Sequence, residues 1–249
     1  MARAAVLGRL TWRLAEVAAV MPETARTATI VLDVDGWPGH RAGQHVDVRL
    51  TAEDGYQAQR SYSIASPPGE PRLRLTVERL DDGEVSPYLV GELRKGDALE
   101  IRGPVGGYFV WEPGGGEPVL LVAGGSGVVP LAAMLRRRIE TGDTTPMRLL
   151  YSSRTPADVI YGEELARAAE TAGVEVIHTF TRAWPEGWTG YTRRIDGAML
   201  GEVAWPAAER PVAFVCGPTR LVESVADALI ALGHDPAAVR TERFGPTGG

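Results

Sequence analysis

The stretch VLLVAGGSGVVPLAAM, residues 119–134, decides how this chain is read. Its apolar run at 119–122 has the length and character of a buried strand, and it breaks at Gly124-Gly125-Ser126-Gly127 before a helix-like segment over 131–139. A strand, a glycine turn and a helix start in that order suit a nucleotide. Glycines let backbone approach a pyrophosphate closely, and the unpaired N–H groups and dipole of the following helix offset its charge. From Gly125 the pattern is G-x-G-x-x-P, with Pro130 where the dinucleotide fingerprint has a third small residue. The same turn can therefore also be read as a tight strand-to-helix corner with no ligand.

Downstream, apolar runs alternate with helical patterns. Strands are expected at 119–123, 147–151, 174–179 and 212–216, and helices at 131–139, 162–171 and 221–232. Such alternation predicts a parallel sheet with crossovers, whose ligands sit at the carboxyl ends of the strands where strand order reverses. The loops at Gly124, Ser152, Phe180 and Gly217 should share that edge. Upstream, short and partly alternating segments at 10–20, 27–34, 45–50, 60–65, 73–79 and 98–102 are separated by Gly, Pro and Asp clusters. With a single short helical piece at 86–93, they predict a small antiparallel barrel. Between the halves, EPGGGE at 112–117 has the texture of a linker. The expected organisation is two-domain: an antiparallel β-barrel over 1–112, then an α/β parallel-sheet nucleotide-binding domain over 118–249.

Composition narrows the classes. At 249 residues, 44% apolar and 23% charged, the chain has ordinary globular composition and enough length for two modest cores. A net charge of −6 opposes a general nucleic-acid surface. No run approaches membrane-spanning length and the N-terminus lacks a signal-peptide pattern, so no membrane insertion and a cytoplasmic setting are expected. The single Cys216 excludes an intrachain disulfide and a built-in iron–sulfur cluster, which takes about four cysteines. The histidines show no metal-ligand spacing, so no metal site is expected.

Two further motifs suit phosphate. Arg60-Ser61-Tyr62-Ser63 supplies a cation, a ring and hydroxyls from one strand, and alternation puts Arg60 and Tyr62 on one face. Gly83-Glu84-Val85-Ser86 offers backbone N–H groups and a hydroxyl at the start of the short helix. Each has a plain alternative, a half-exposed strand in the first case and a capped turn in the second.

The ordered set RSYS at 60–63, VER at 77–79, GEVS at 83–86, GPVGGYF at 103–109, GGSGVVP at 124–130, YSSRTPADVIYGEEL at 151–165, CGP at 216–218 and ERF at 242–244 resembles the ferredoxin–NADP reductase superfamily along nearly the whole chain. The resemblance implies that the barrel is a flavin-binding domain. Arg60 would then bind the flavin pyrophosphate, Tyr62 would pack on the isoalloxazine or the ribityl, and Ser63 would lie near flavin N5. Val77 and Arg79 would line the flavin site, and Gly83, Val85 and Ser86 would cradle phosphate. Gly125, Ser126 and Gly127 would face the nicotinamide dinucleotide. Cys216, with Gly217 and Pro218, would sit near the nicotinamide ring, and Phe244 in a C-terminal tail would cover the flavin. Ser63 and Cys216 are thus the residues expected at the reacting atoms. Glu242 is read as a solvated tail charge in preference to a proton relay.

The resemblance implies a flavin cofactor, FAD in preference to the FMN that some relatives use, with hydride transfer from a nicotinamide to the flavin and release of electrons singly. A carboxylate ending the second parallel strand would suit NADH, whereas this strand ends Tyr151-Ser152-Ser153-Arg154. Arg154, with Ser152 and Tyr161 nearby, favours NADPH, leaves NADH possible, and has Arg182 as a second candidate cation. With no cysteine run after ERFGPTGG, the electrons are expected to pass to a separate ferredoxin or another iron–sulfur partner such as an oxygenase component. The alternatives are a reductase of free flavin or ferric chelates, and a non-catalytic flavin-binding subunit. The oligomeric state is left open.

Overall fold

The computed structural model describes residues 10–244. Strands β1 (Trp12–Thr24), β2 (Thr27–Val34), β3 (His45–Thr51), β4 (Gln57–Ser63), β5 (Leu73–Glu78) and β6 (Ala98–Val105) form one antiparallel sheet in the order β4-β3-β6-β1-β2-β5. A bridge between Ile64, just past β4, and Leu75 of β5 joins the two edges, so the sheet curls into a barrel. Period-two alternation drives this: Val46 and Val48 of β3 and Leu73, Leu75 and Val77 of β5 all turn into one core. Helix α1 (Ser86–Gly91) plugs that core with Leu89.

The second unit contains β7 (Val119–Gly124), α2 (Val128–Glu140), β8 (Met147–Ser153), α3 (Gly162–Thr171), β9 (Val174–Phe180), α4 (Gly197–Val203), β10 (Val212–Pro218), α5 (Thr219–Ala231) and β11 (Val239–Phe244). The sheet is parallel, in the order β11-β10-β7-β8-β9. From β7 the chain adds β8 and β9 on one side, then returns to add β10 and β11 on the other. Strand order therefore reverses between β7 and β10, which is where a ligand crevice opens. β7 reads as an unbroken apolar run because both of its faces are covered. Leu121 and Ala123 pack into one cluster, Leu120 and Val122 into another.

Several boundaries differ from the sequence expectation. Helix α2 starts at Val128, so Pro130 lies in its first turn, where a missing N–H breaks no helical bond. β1 runs on to Thr24, β8 to Ser153 and β10 to Pro218. Two elements were not expected. Helix α4 has two glycines in seven residues and is begun by the Asp196 carboxylate, which accepts from the Met199 amide at 2.8 Å. Edge strand β11, VRTERF, is too polar to announce itself as a strand.

The two units share a core. Ala42, Ala65, Phe109 and Trp111 from the barrel side cluster with Met134, Leu135 and Phe214. Buried Arg136 of α2 reaches across: it donates to the Ala65 carbonyl, holds both Glu164 oxygens at 2.7 Å, and lies 4.4 Å over the Tyr161 ring. No helix among the described residues is long and apolar enough to cross a membrane.

Candidate active site

Strand alternation sets the barrel side of the cleft. Arg60 is in register with Val48 and Tyr62 with Val46, so cation and ring share the core-bearing face at an open edge strand. Burial holds the Tyr62 phenol well above its usual range, leaving a neutral ring surface. Arg60 remains exposed and donates to the Glu84 carboxylate at 2.7 Å, so an anion already occupies this guanidinium. Ser63 lies on the opposite face, in register with His45. Its hydroxyl is buried and has no hydrogen-bond partner among the described residues. Such an orphan costs about 1–3 kcal/mol, which a bound polar atom would offset.

The GEVS turn corrects several expectations. The Val85 side chain is buried in the barrel core and is not offered to a phosphate, whereas Ser86 Oγ accepts from the Leu80 amide at 3.0 Å and keeps its own hydrogen to donate. The Gly83 amide donates to the Leu80 carbonyl at 3.0 Å. The backbone of this turn and the Ser86 hydroxyl hydrogen remain to meet an anion, and α1 begins with Pro87 in its first turn. Val77 is likewise turned into the core by the alternation of β5, not onto a cofactor face. Arg79 follows β5, its Nε 3.2 Å from Asp81 Oδ1, while its carbonyl accepts from Arg26 Nη2 at 2.9 Å.

On the sheet side, a tight turn over Gly125–Gly127 carries β7 into α2. Gly127 is helical, φ −60, and is required by space alone: a Cβ there would lie 2.1 Å from the Cys216 carbonyl oxygen. It is buried against the end of β10, at the base of the turn. Gly125 and Ser126 are half-buried. Gly125, at φ +54, turns toward β5, where a Cβ would come 3.7 Å from the Glu78 carboxylate. Gly217 nests beside Gly124, and Pro218 is exposed at the strand end.

Cys216 is fully buried. Burial first, and the Glu242 carboxylate second, push its thiol well above the usual range, so it is a neutral packing group and no nucleophile. Phe244 does not lie in a free tail: β11 pairs with β10, Phe244 in register with Pro218 and Glu242 with Cys216. Glu242 is not a solvated charge either. Its side chain is 20% exposed, Oε1 lies 3.6 Å from His45 Nδ1, and Oε2 is buried with no hydrogen-bond partner among the described residues. Burial raises its carboxyl to about 7 and lowers the His45 imidazole. A contiguous row thereby crosses between the units: Ser63 opposite His45, His45 against Glu242, Glu242 beside Cys216.

At the far end of the same sheet edge, Ser152 is buried between Gly124 and Thr179. Arg154 is exposed just past β8, and its carbonyl accepts from the Arg182 and Ala183 amides at 2.9 and 3.2 Å. Two arginines are thus brought together, and among the described residues neither forms an ion pair. Tyr161 does not join them. It is buried at the junction of the units with its hydroxyl donating to Thr76, so the expected phosphate contact is corrected.

Residues 13–110 match the oxidoreductase FAD-binding domain family, and residues 121–227 the oxidoreductase NAD-binding domain family. Ferredoxin–NADP reductase B of Sorangium cellulosum is 36% identical over 211 residues, covering 82% of this chain and 84% of that protein. The chain belongs to the ferredoxin–NADP reductase superfamily. Among other superfamily relatives, the glycine betaine monooxygenase reductase subunit of Pseudomonas aeruginosa is 33% identical over 211 residues, 83% of this chain and 57% of that protein. The chain therefore spans a little over half the length of that relative. The flavohem-like FAD/NAD binding domain of nitric oxide dioxygenase from Vibrio cholerae superposes with a TM-score of 0.84 at 25% identity, covering 94% of this chain and 99% of that one.

The two domain families assign FAD to the barrel and a nicotinamide dinucleotide to the sheet. The residues of this superfamily member fit such guests: an exposed guanidinium already engaged by an anion, a half-buried neutral ring, and an orphaned hydroxyl at the cleft. His45 lies outside any recognisable motif, and the carboxylate of Glu242, the first residue of ERF, is buried. A lone histidine at a strand start and one glutamate in a polar hexapeptide carry no spacing signal, and only the packing of β3 against β11 joins them.

Proposed function

We propose that the chain is an FAD-dependent reductase that draws electrons from NADPH and delivers them singly to a separate iron–sulfur protein or oxygenase component, in a cytoplasmic setting. The row Ser63, His45, Glu242, Cys216 carries the reading, because it joins the end of the barrel's edge strand to the switch point of the parallel sheet. FAD, when bound, supplies acceptance of a hydride from nicotinamide C4 and release of electrons one at a time.

The chain's own residues do the rest. Arg60 neutralises a pyrophosphate, and Tyr62 offers a flat neutral surface. Ser63 Oγ, buried and unpartnered among the described residues, would hydrogen-bond a polar atom of the flavin and so orient it. Glu242, protonated over much of the acid-to-neutral range, holds a proton at a carboxyl oxygen beside His45 Nδ1. Cys216 and Gly127 close the floor of the crevice to water. Arg154 supplies the cation suited to a 2′-phosphate, with Arg182 held beside it through the backbone. The partner reading draws on the monooxygenase reductase subunit among the relatives.

Purified protein should be yellow, bleach under nitrogen with NADPH, and be reoxidised by a ferredoxin far faster than by free flavin or a ferric chelate. Flavin that NADPH never bleaches would leave a binding subunit and remove the enzyme reading. Arg154→Ala should weaken NADPH about tenfold, the low end for a charged hydrogen bond because the site is exposed. The check is steady-state KM for both dinucleotides. An equal change for NADH would remove the 2′-phosphate assignment.

A further inference from the structure

Tyr56 lies outside the phosphate-suiting motifs, yet its ring is large and 57% exposed. It is not loose. It ends the β3–β4 hairpin, where its carbonyl accepts from the Ala52 amide at 2.8 Å and its amide donates to Asp54 Oδ1 at 2.9 Å. Its hydroxyl donates to Glu84 Oε1 at 2.7 Å, while the other oxygen of the same carboxylate takes Arg60 Nη2 at 2.7 Å. One carboxylate therefore fixes an aromatic face in solvent directly beside the guanidinium that suits a diphosphate. When a diphosphate takes Arg60, the Glu84 oxygen on that side is displaced and the one on Tyr56 need not be.

We propose that Tyr56 is the platform on which the adenine of FAD stacks, positioned by Glu84, and that this contact makes the site select FAD over FMN. The proposal rests on the reading of Arg60 as the pyrophosphate partner. Beyond that cation the flavin's adenosine half must continue over the surface, and the Tyr56 ring is the flat face tethered there. FMN ends at one phosphate and has nothing to place on it. A purine over an aromatic ring is held sequence-independently, by surface contact and polarisability, which is why loss of the ring is felt by one flavin alone.

The test uses the full chain freed of flavin and titrated with FAD and with FMN, read by quenching of flavin fluorescence. Tyr56→Ala should raise the FAD dissociation constant about tenfold and change that of FMN by less than about twofold. Tyr56→Phe keeps the ring and should leave FAD within about threefold of the unsubstituted chain. Equal losses for both flavins, or an unchanged FAD affinity in Tyr56→Ala, overturns the platform. Arg60→Ala should weaken both flavins, since both carry a phosphate. If it weakens neither while Tyr56→Ala still discriminates, the Arg60 reading falls and the platform stands.

Discussion

Gly127→Ala is expected to cost the fold about 3 kcal/mol, the upper end for overpacking, because the added methyl meets backbone that has nowhere to move. A Cβ there would sit 2.1 Å from the Cys216 carbonyl oxygen and 2.7 Å from the Gly217 nitrogen. The effect is steric alone, since φ −60 and ψ −14 suit any residue. Relief would require the turn after β7 to lift off the end of β10, which is the crevice in which the dinucleotide is proposed to lie. Nicotinamide-dependent reduction should fall with stability. Gly91→Ala is the control: it ends α1, a Cβ there meets nothing within 4 Å, and it should be neutral or stabilise by about 0.5 kcal/mol. Urea unfolding of the three proteins decides it, and a Gly127→Ala midpoint equal to that of the unsubstituted chain would sink the claim.

Glu242→Gln is expected to stabilise the protein by ~3 kcal/mol at pH 8 and to have little effect near pH 4. Burial lifts the folded-state carboxyl from 4.5 to about 7. The folded chain therefore binds this proton more tightly than the unfolded chain. Stability from this group is fully present below about pH 4.5, declines as pH rises, and is lost above about pH 7. The groups facing it act differently. The His45 imidazole, lowered by burial, disfavours the folded state only as it is protonated in acid, and Cys216 stays a thiol. The difference between variant and unsubstituted protein across pH thus isolates Glu242. Parallel curves between pH 4 and 8 would contradict the burial of this carboxylate.

The site was legible in the sequence where function depends on a motif's backbone geometry or on strand alternation. Arg60 and Tyr62 share a face because every second residue of a strand does. It was not legible where the same motif residues serve the core: Val77 and Val85 pack inside the barrel, Ser86 is bonded to Leu80, and Tyr161 to Thr76. Position in a motif says which residue type stands at a turn, not which way a side chain is turned once the core has closed around it.

Amino-acid order alone determined that a β-barrel precedes a parallel α/β sheet and that the crevice follows the first strand of the second unit, because hydrophobic period and glycine turns act over a few neighbours. The order of strands, the addition of β11 as a fifth, and the meeting of His45 with Glu242 were decided only in three dimensions. Those two residues lie far apart in the chain, on the third and the last strand, and on different sheets. What makes one carboxyl hold its proton near neutrality is the loss of water between the packed sheets, a property of the assembled interior that no local stretch possesses.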